Sequence, residues 1–474
     1  MAKTPIKFGT DGWRGIIAED FIFDNVRACA QGMSRYFKEV GLARRGLVVG
    51  YDSRFASADF AVATAEVVAA NGIQVTLCQG PTPTPVVCHQ VCERNAGGAA
   101  IITASHNPAR WNGFKVKTEH GSAAPDQILA DIERHIAVAQ DAPIARLSYA
   151  EAKAKGLIQE VDPFPSYAVR LAGLVDMEAL RQQKITVVAD SMFGAGTGYF
   201  SRLLAGGALK LEEINSQPNP AFPGINPEPI EPNLARLQDV VRERRAAVGL
   251  ATDGDADRLG AVTETGQFIT QLQTFTLLAY YLLEVRGERG AIVKALTSSR
   301  MLNRLGEIYN VPVLETPVGF KHVAPAMLEQ DALIGGEESG GYAFRGHVPE
   351  RDGILAGLYF LDLMRRTGKT PSQLLSLLDE KLGPHRYNRL DLHFPAEGRG
   401  AILKRMEIAR PKSLDGIPVS KRDTLDGFRF TLEDGAWLLL RFSGTEPLLR
   451  IYAEAKSQEK VDRLLSLGRE MAGV

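Results

Sequence analysis

Several classes of protein are excluded by what this chain lacks. Cysteine is scarce, with only Cys29, Cys78, Cys88 and Cys92 among 474 residues, and none of the four is in Cys-x-x-Cys spacing. A disulfide framework is therefore not indicated, and buried reduced thiols are expected. No apolar run approaches about 18 residues, so a membrane-spanning helix is not expected. The leading Met-Ala-Lys-Thr-Pro-Ile-Lys has no signal-peptide h-region, which points to a soluble, cytoplasmic protein. Excess charge of either sign is also missing. The 55 Lys+Arg and 56 Asp+Glu leave a net charge of -1, which gives no reason to expect nucleic acid or an anionic membrane as partner. Any anion site must be a local cluster.

What is present is length and alternation. A chain of 474 residues is too long for one core and suggests about three or four domains. Apolar runs at 46–50, 73–77 and 97–102 read as strands, separated by helical patterns at 57–70 and 86–94. The alternation recurs with strands at 184–190 and 246–252, and again at 291–296 and 332–335. The last hundred residues differ, with a strand expected at 437–442 and a helix from Gln458. The fold class expected is α/β, with three related mixed-sheet α/β domains and a smaller C-terminal α+β domain. Linkers near 141–161, 265–271 and 367–371 place the domains at 1–150, 151–266, 267–370 and 371–474.

Chemistry concentrates in a few loops. Thr103-Ala-Ser105-His106-Asn-Pro108 follows a buried strand, where a serine can stand exposed on a rigid support. No histidine–aspartate relay lies at a familiar spacing, and taken alone the hexapeptide fits a turn or capping serine better than a nucleophile. Asp253-Gly-Asp255-Ala-Asp257-Arg258 places carboxylates at i, i+2 and i+4, the oxygen donors that a hard divalent cation such as Mg²⁺ takes. A calcium EF-hand is the rival, since Glu264 falls at the twelfth position, but Arg258 stands where that loop demands glycine and a strand precedes it. A solvated acidic turn is the third reading. Gly335-Gly-Glu337-Glu338-Ser339-Gly-Gly341 offers acceptors and a donor suited to hydroxyls, or is a glycine-rich surface turn. Arg441-Phe-Ser443-Gly444-Thr445-Glu-Pro447, with Arg450 beyond it, reads as an anion cradle without the Walker ending. At the front, Phe8 to Gly15 presents Arg14 in a glycine-spaced loop or simply makes an N-terminal turn. Together these loops suggest phosphoryl transfer to or from a small phosphorylated polyol held between domains.

At these residues the chain resembles the α-D-phosphohexomutase superfamily, the phosphoglucomutases and phosphomannomutases. The Thr-Ala-Ser-His-Asn-Pro, Asp-Gly-Asp-Ala-Asp-Arg, Gly-Glu-Glu-Ser-Gly and Arg-Phe-Ser-Gly-Thr-Glu-Pro motifs fall in the family's order, and the match covers essentially the whole chain. The resemblance implies four domains around a central cleft. It implies that Ser105 is carried as phosphoserine, with Asp253, Asp255, Asp257 and a phosphoserine oxygen holding Mg²⁺. Arg14 and Lys115 match positions assigned to proton transfer and phosphate contact, and His106 stands with them beside the serine. Arg258, Lys294, Gly319, Glu337 and Ser339 match substrate-binding positions. Arg441, Ser443, Gly444, Thr445 and Arg450 match the site of the non-reacting phosphate.

The resemblance further implies exchange of hexose 1- and 6-phosphates, with glucose 1,6-bisphosphate as intermediate and activator. The partner is then a small-molecule phosphosugar, and the protein is a monomer or homodimer. Glu337-Glu338-Ser339 and Thr316-Pro-Val-Gly-Phe-Lys321 look glucose-type, whereas mannose-type members tend to Glu-Met-Ser and glucosamine-type members to Glu-Gln-Ser. Phosphomannomutase-like members often carry a histidine where Phe320 stands. The alternatives are a phosphomannomutase or phosphoglucosamine mutase, a phosphatase, or a phosphosugar-binding protein without turnover.

Overall fold

The computed structural model describes residues 6–9, 11–394, 398–442 and 448–473. Four sheets follow one another along the chain. The first has six strands, in the order Trp13–Ile16, Trp111–Lys117, Ala99–Ile102, Leu47–Tyr51, Val75–Cys78 and Ile158–Val161. The second runs Phe268–Ile269, Leu259–Thr263, Val248–Thr252, Thr186–Asp190 and Lys210–Ile214. The third runs Val313–Thr316, Ile292–Ala295, Ile334–Gly336 and Tyr342–Phe344. All three combine parallel strands with one antiparallel return, which is the mixed α/β architecture expected. The last sheet is antiparallel throughout and packs beneath the C-terminal helix Gln458–Ala472.

One device occurs three times. A parallel strand, Ala99–Ile102, Val248–Thr252 or Ile334–Gly336, ends in a loop. The chain then returns beside it as an antiparallel strand, Trp111–Lys117, Leu259–Thr263 or Tyr342–Phe344. The strands are nearly continuous in Val, Ile, Ala and Gly, as strands covered on both faces must be. The loops are polar, and they carry the serine, the aspartates and the Glu-Glu-Ser in turn. The related chemistry of three distant motifs thus follows from one topology, with each site loop at the carboxyl end of a buried strand.

The structure moves three expected boundaries. Residues 141–161 are not a linker. Ser148 and Glu151 form a capping box that starts the helix Tyr149–Ala154, and Ile158–Val161 joins the first sheet parallel to Val75–Cys78. Phe268–Ile269 pairs with the second sheet, and a further capping box at Thr270 and Gln273 opens the helix Gln271–Tyr280. Beyond Gly368, the helix Pro371–Leu382 buries Leu374, Leu378 and Leu382 in the core shared by the second and third units. The chain crosses to the last unit only at Gly383, whose φ of +82° suits glycine. Short amphipathic helices can dock on either neighbouring unit, so local composition could not place these joints. Cys92 also departs from expectation. It is exposed near the end of the helix Thr84–Glu93, whereas Cys29, Cys78 and Cys88 are buried. No helix among the described residues is long and apolar enough to cross a membrane.

The last unit rests on the third through a small cluster of Leu296, Trp437, Leu439 and Tyr452. Beside it lies one buried carboxylate. Glu454 accepts from Ser299 Oγ at 2.6 Å and Arg300 N at 3.0 Å on the third unit. On its own side it accepts from Trp437 Nε1 at 2.8 Å and lies 2.6 Å from His385 Nδ1. Removing it strands several donors away from water, which costs about 3 kcal/mol. Glu454→Ala is therefore expected to split off or lower a melting transition, measured by calorimetry together with near-ultraviolet dichroism of Trp437. A melting profile identical to the parent would contradict this account of the joint.

Candidate active site

Ser105 is held where a serine does not rest by itself. Its φ is +52°, in the left-handed region that costs a non-glycine residue of order 1 kcal/mol or more. Thr103 Oγ1 accepts its N–H at 2.9 Å. The larger support is Arg54, whose guanidinium reaches the carbonyls of Ser105 and Asn107 at 2.6 Å each, Pro108 at 2.9 Å and Trp111 at 3.0 Å. Asp52 holds Arg54 in turn through Nε at 3.1 Å, and accepts from Thr103 Oγ1 at 2.6 Å and Ser57 Oγ at 2.9 Å. A planar fork with five donors can gather a loop's carbonyls in this way, and a lysine cannot. Sequence reading passed over Arg54. Its signal was a pair of charges, Asp52 and Arg54, at the end of a buried strand.

The aspartate loop meets the serine directly, across 148 residues of sequence. Ser105 Oγ donates to Asp253 Oδ2 at 2.8 Å. Gly254 makes the approach possible, since a Cβ there would sit 2.4 Å from the Ser105 carbonyl oxygen. The loop lies between two antiparallel strands, which removes the EF-hand reading. Asp253, Asp255 and Asp257 are buried and offer oxygens that all lie within 4.8 Å of one another. Burial and the carboxylates of Asp257 and Asp255 push Asp253 well above the usual carboxylate range. Asp255 Oδ1 and Asp257 Oδ1 accept no hydrogen bond among the described residues. Clustered oxygen donors with buried, unused lone pairs and mutual repulsion fit a hard divalent cation.

Cations from the other units ring this loop. Lys115 Nζ lies 2.8 Å from Asp255 Oδ2, 2.7 Å from Asp11 Oδ2 and 3.6 Å from Asp257 Oδ2. Burial opposes its charge, but these three carboxylates prevail and push the ammonium upward, so Lys115 is held as a cation. Arg351 bridges Asp11 at 2.7 Å and Asp257 at 2.8 Å, and Nη1 lies 3.7 Å from Glu337 Oε2. Lys117 is paired with Glu350 at 2.6 Å. Arg258 Nε stands 4.0 Å from Asp253 and 3.8 Å from Asp257. Arg14 donates to Asn107 Oδ1 beside the serine, and burial with Arg258 nearby pushes its pKa down. His106 Nδ1 lies 3.5 Å from Ser105 Oγ. Burial, followed by Arg258 and Arg14, pushes His106 well below its ordinary value, so the ring is neutral. Asp11, Glu350 and Arg351 were not singled out from the sequence, although Asp11 lies in the same glycine-spaced stretch as Arg14.

The structure gathers Ser105, His106, Arg14, Lys115, Asp253, Asp255, Asp257 and Arg258 at one joint, with Glu337 reached through Arg351. Glu337 also accepts from Gly319 N at 2.9 Å, and the buried Ser339 hydroxyl has no hydrogen-bond partner among the described residues. The remaining expected residues stand elsewhere. Lys294 is buried between the third and last units, bonded to the Ser299 carbonyl at 3.0 Å and 3.2 Å from Glu315. Arg441 pairs with Asp426 at 2.8 Å, and Arg450 faces Asp391 at 3.8 Å. Ser443, Gly444 and Thr445 lie outside the described residues.

Comparison with known proteins finds relatives along nearly the whole chain. Profiles described as phosphoglucomutase/phosphomannomutase alpha/beta/alpha domains I, II and III match residues 5–142, 165–266 and 272–380, and the C-terminal domain matches 403–466. A phosphoglucomutase/phosphomannomutase of Thermococcus kodakarensis is 33% identical over 461 residues, 97% of each chain. A probable phosphoglucosamine mutase of Methanosphaera stadtmanae is 30% identical over 476 residues, 99% of each. The crystal structure of a putative phosphomannomutase from Thermus thermophilus superposes with a TM-score of 0.86 at 36% identity, covering 100% of both chains.

Two substitutions test the geometry. Gly254→Ala forces the two loops apart and Arg54→Lys removes the fork, so each is expected to lower kcat by about a hundredfold or more while circular dichroism stays unchanged. Turnover near the parent value in Arg54→Lys would show that the serine loop holds its shape without the clamp.

Proposed function

The chain belongs to the phosphoglucomutase/phosphomannomutase family and is a phosphohexomutase, and from that premise we propose that it interconverts glucose 1-phosphate and glucose 6-phosphate through a phosphoserine at Ser105. The observation that carries the reading is the contact of Ser105 Oγ with Asp253 Oδ2, inside a buried carboxylate cluster ringed by fixed cations. A triad is not needed to activate such a serine. Phosphoryl transfer depends chiefly on charge stabilisation and alignment.

Asp253, Asp255 and Asp257 would hold Mg²⁺ together with a phosphoserine oxygen. When bound, the ion neutralises charge on the transferring phosphoryl group. The protein's own residues supply the rest. A free sugar hydroxyl attacks the phosphoserine phosphorus, a new O–P bond forms as the Oγ–P bond breaks, and the hydroxyl proton leaves. The freed Ser105 oxygen gains a proton and returns to its hydrogen bond with Asp253. Lys115, set among Asp11, Asp255 and Asp257, acts as a phosphate contact. His106 and Arg14 stand beside Ser105 and are the groups placed to relay the proton. The glucose 1,6-bisphosphate so formed turns over in the cleft, and its other phosphate returns to Ser105. Arg441 and Arg450 would grip the phosphate not in reaction, and Glu337 and Ser339 the sugar hydroxyls. Glucose is favoured by Phe320, which stands where phosphomannomutase-like members often carry a histidine.

The phosphoserine is tested by peptide mass analysis, which is expected to find one phosphoryl group on Ser105. Ser105→Ala is expected to abolish turnover, and an active variant would remove the nucleophile assignment. Chelation should stop the reaction, with Mg²⁺ restoring it far better than Ca²⁺, because a tight loop suits the smaller octahedral ion. The sugar is tested by kcat/KM for glucose, mannose and glucosamine 1-phosphates. A lead of about tenfold or more for glucosamine would overturn the glucose reading.

A further inference from the structure

The strand Arg386–His393 opens the last unit, and its side chains alternate between two faces. Leu390 and Leu392 pack on the last unit's core, which leaves Tyr387, Arg389 and Asp391 on the opposite face. That face meets the third unit at Glu338. Tyr387 Oη donates to Glu338 Oε1 at 3.0 Å, and Arg389 Nη1 donates to the same oxygen at 3.1 Å. Arg389 Nε lies 2.9 Å from Asp391 Oδ1, and Asp391 Oδ2 lies 3.8 Å from Arg450 Nε. The sheet register explains the sequence of contacts. Asp391 stands directly across from Arg450, and Arg450 directly across from Arg441. Arg441 is held by Asp426 Oδ2, the oxygen that also accepts the Val318 N–H of the third unit at 2.9 Å. A ladder thus leaves the third unit at Glu338 and alternates in charge through Arg389 and Asp391 to Arg450, beyond which the cross-strand neighbour Arg441 and its partner Asp426 lead back to the third unit at Val318.

We propose that Glu338 is a positioning residue: its carboxylate serves this ladder and not a sugar hydroxyl, and it couples the Glu337–Ser339 loop to the two arginines of the last unit. The inference rests on the phosphosugar reading of the cleft. Within the loop the roles divide by what each side chain touches. Glu337 bonds the Gly319 amide and Ser339 keeps an unpartnered hydroxyl, while Glu338 turns to the other unit. The pairs made by Arg389 and Arg450 are partly exposed, so each is weak enough to rearrange when a phosphate arrives between Arg441 and Arg450. A phosphate that draws Arg450 from Asp391 frees Asp391 to hold Arg389 more firmly, and this moves the loop through Glu338. Sugar seating and phosphate grip then become one event.

A double-mutant cycle tests the coupling, using the full chain, Glu338→Gln, Arg389→Met and the pair. With glucose 1-phosphate each single change is expected to raise KM about tenfold with little change in kcat, and the pair to match a single change. Multiplying effects would overturn the proposal. The ratio of kcat/KM for glucose to mannose 1-phosphate is expected to stay constant in Glu338→Gln. A shifted ratio would put the carboxylate on the sugar and overturn it as well. Amide hydrogen exchange on the free proteins separates this from the functional reading. Faster exchange in 386–393 and 448–455 of Glu338→Gln is expected even if no sugar is turned over, in which case only the functional reading fails. Unchanged exchange in those segments overturns the proposal itself.

Discussion

Burying carboxylates together is costly, because each loses its hydration and repels its neighbours, and the cost falls only if cations are brought to them in fixed geometry. The second unit gathers Asp253, Asp255 and Asp257 on one loop and supplies only Arg258 close by. The first unit brings Lys115 and Lys117, together with Asp11, and the third brings Arg351 and Glu350. Neither the first nor the second balances its own charges at the joint. Docking of the units and completion of the site are therefore one event, and the shared apolar core of the second and third units holds it in place.

The repeated strand–loop–strand device supplies the precision. Each loop springs from the carboxyl end of a buried strand and is fixed by the antiparallel strand that follows, so its backbone has little freedom. The loops also brace one another. Gly254 lies against the Ser105 carbonyl, Gly194 against Gly254, and Leu259 N bonds the Gly340 carbonyl. Strain at Ser105 can persist only in such a setting, where Arg54 takes up the carbonyls that the turn leaves free.

The last unit is held differently. Besides Glu454 and a small apolar cluster, its attachments among the described residues include hydrogen bonds, such as Val318 N to Asp426, and partly exposed ion pairs, such as Glu315 with Arg429 and Glu338 with Arg389. Burial works against the Glu315 charge, but Arg429 and Lys294 hold its pKa down to about 2. Three units joined by buried contacts, with a fourth attached through more exposed ones, suit the enclosure and release of a substrate.

Ser105, the three aspartates, Glu337 and the arginines of the last unit could all be named from the chain, because each motif packs its chemistry into a few consecutive residues at a strand end. Strands and helices were legible for the same reason, since hydrophobic period is a local property. Arg54, Glu350 and Arg351 could not be found that way, and Asp11, although it lies in the stretch 8–15, showed no role there. Asp11 and Arg351 are 340 residues apart, and each acquires a role only against the other. The joints between units were equally hidden, since a short amphipathic helix carries no mark of the core it will join. Sequence alone determined the chemical groups and the order of the loops that carry them. The tertiary structure decided which carboxylates share a cavity, which cations neutralise them, and that Glu338 faces the last unit, because burial and Coulomb energy depend on distances that chain separation does not set.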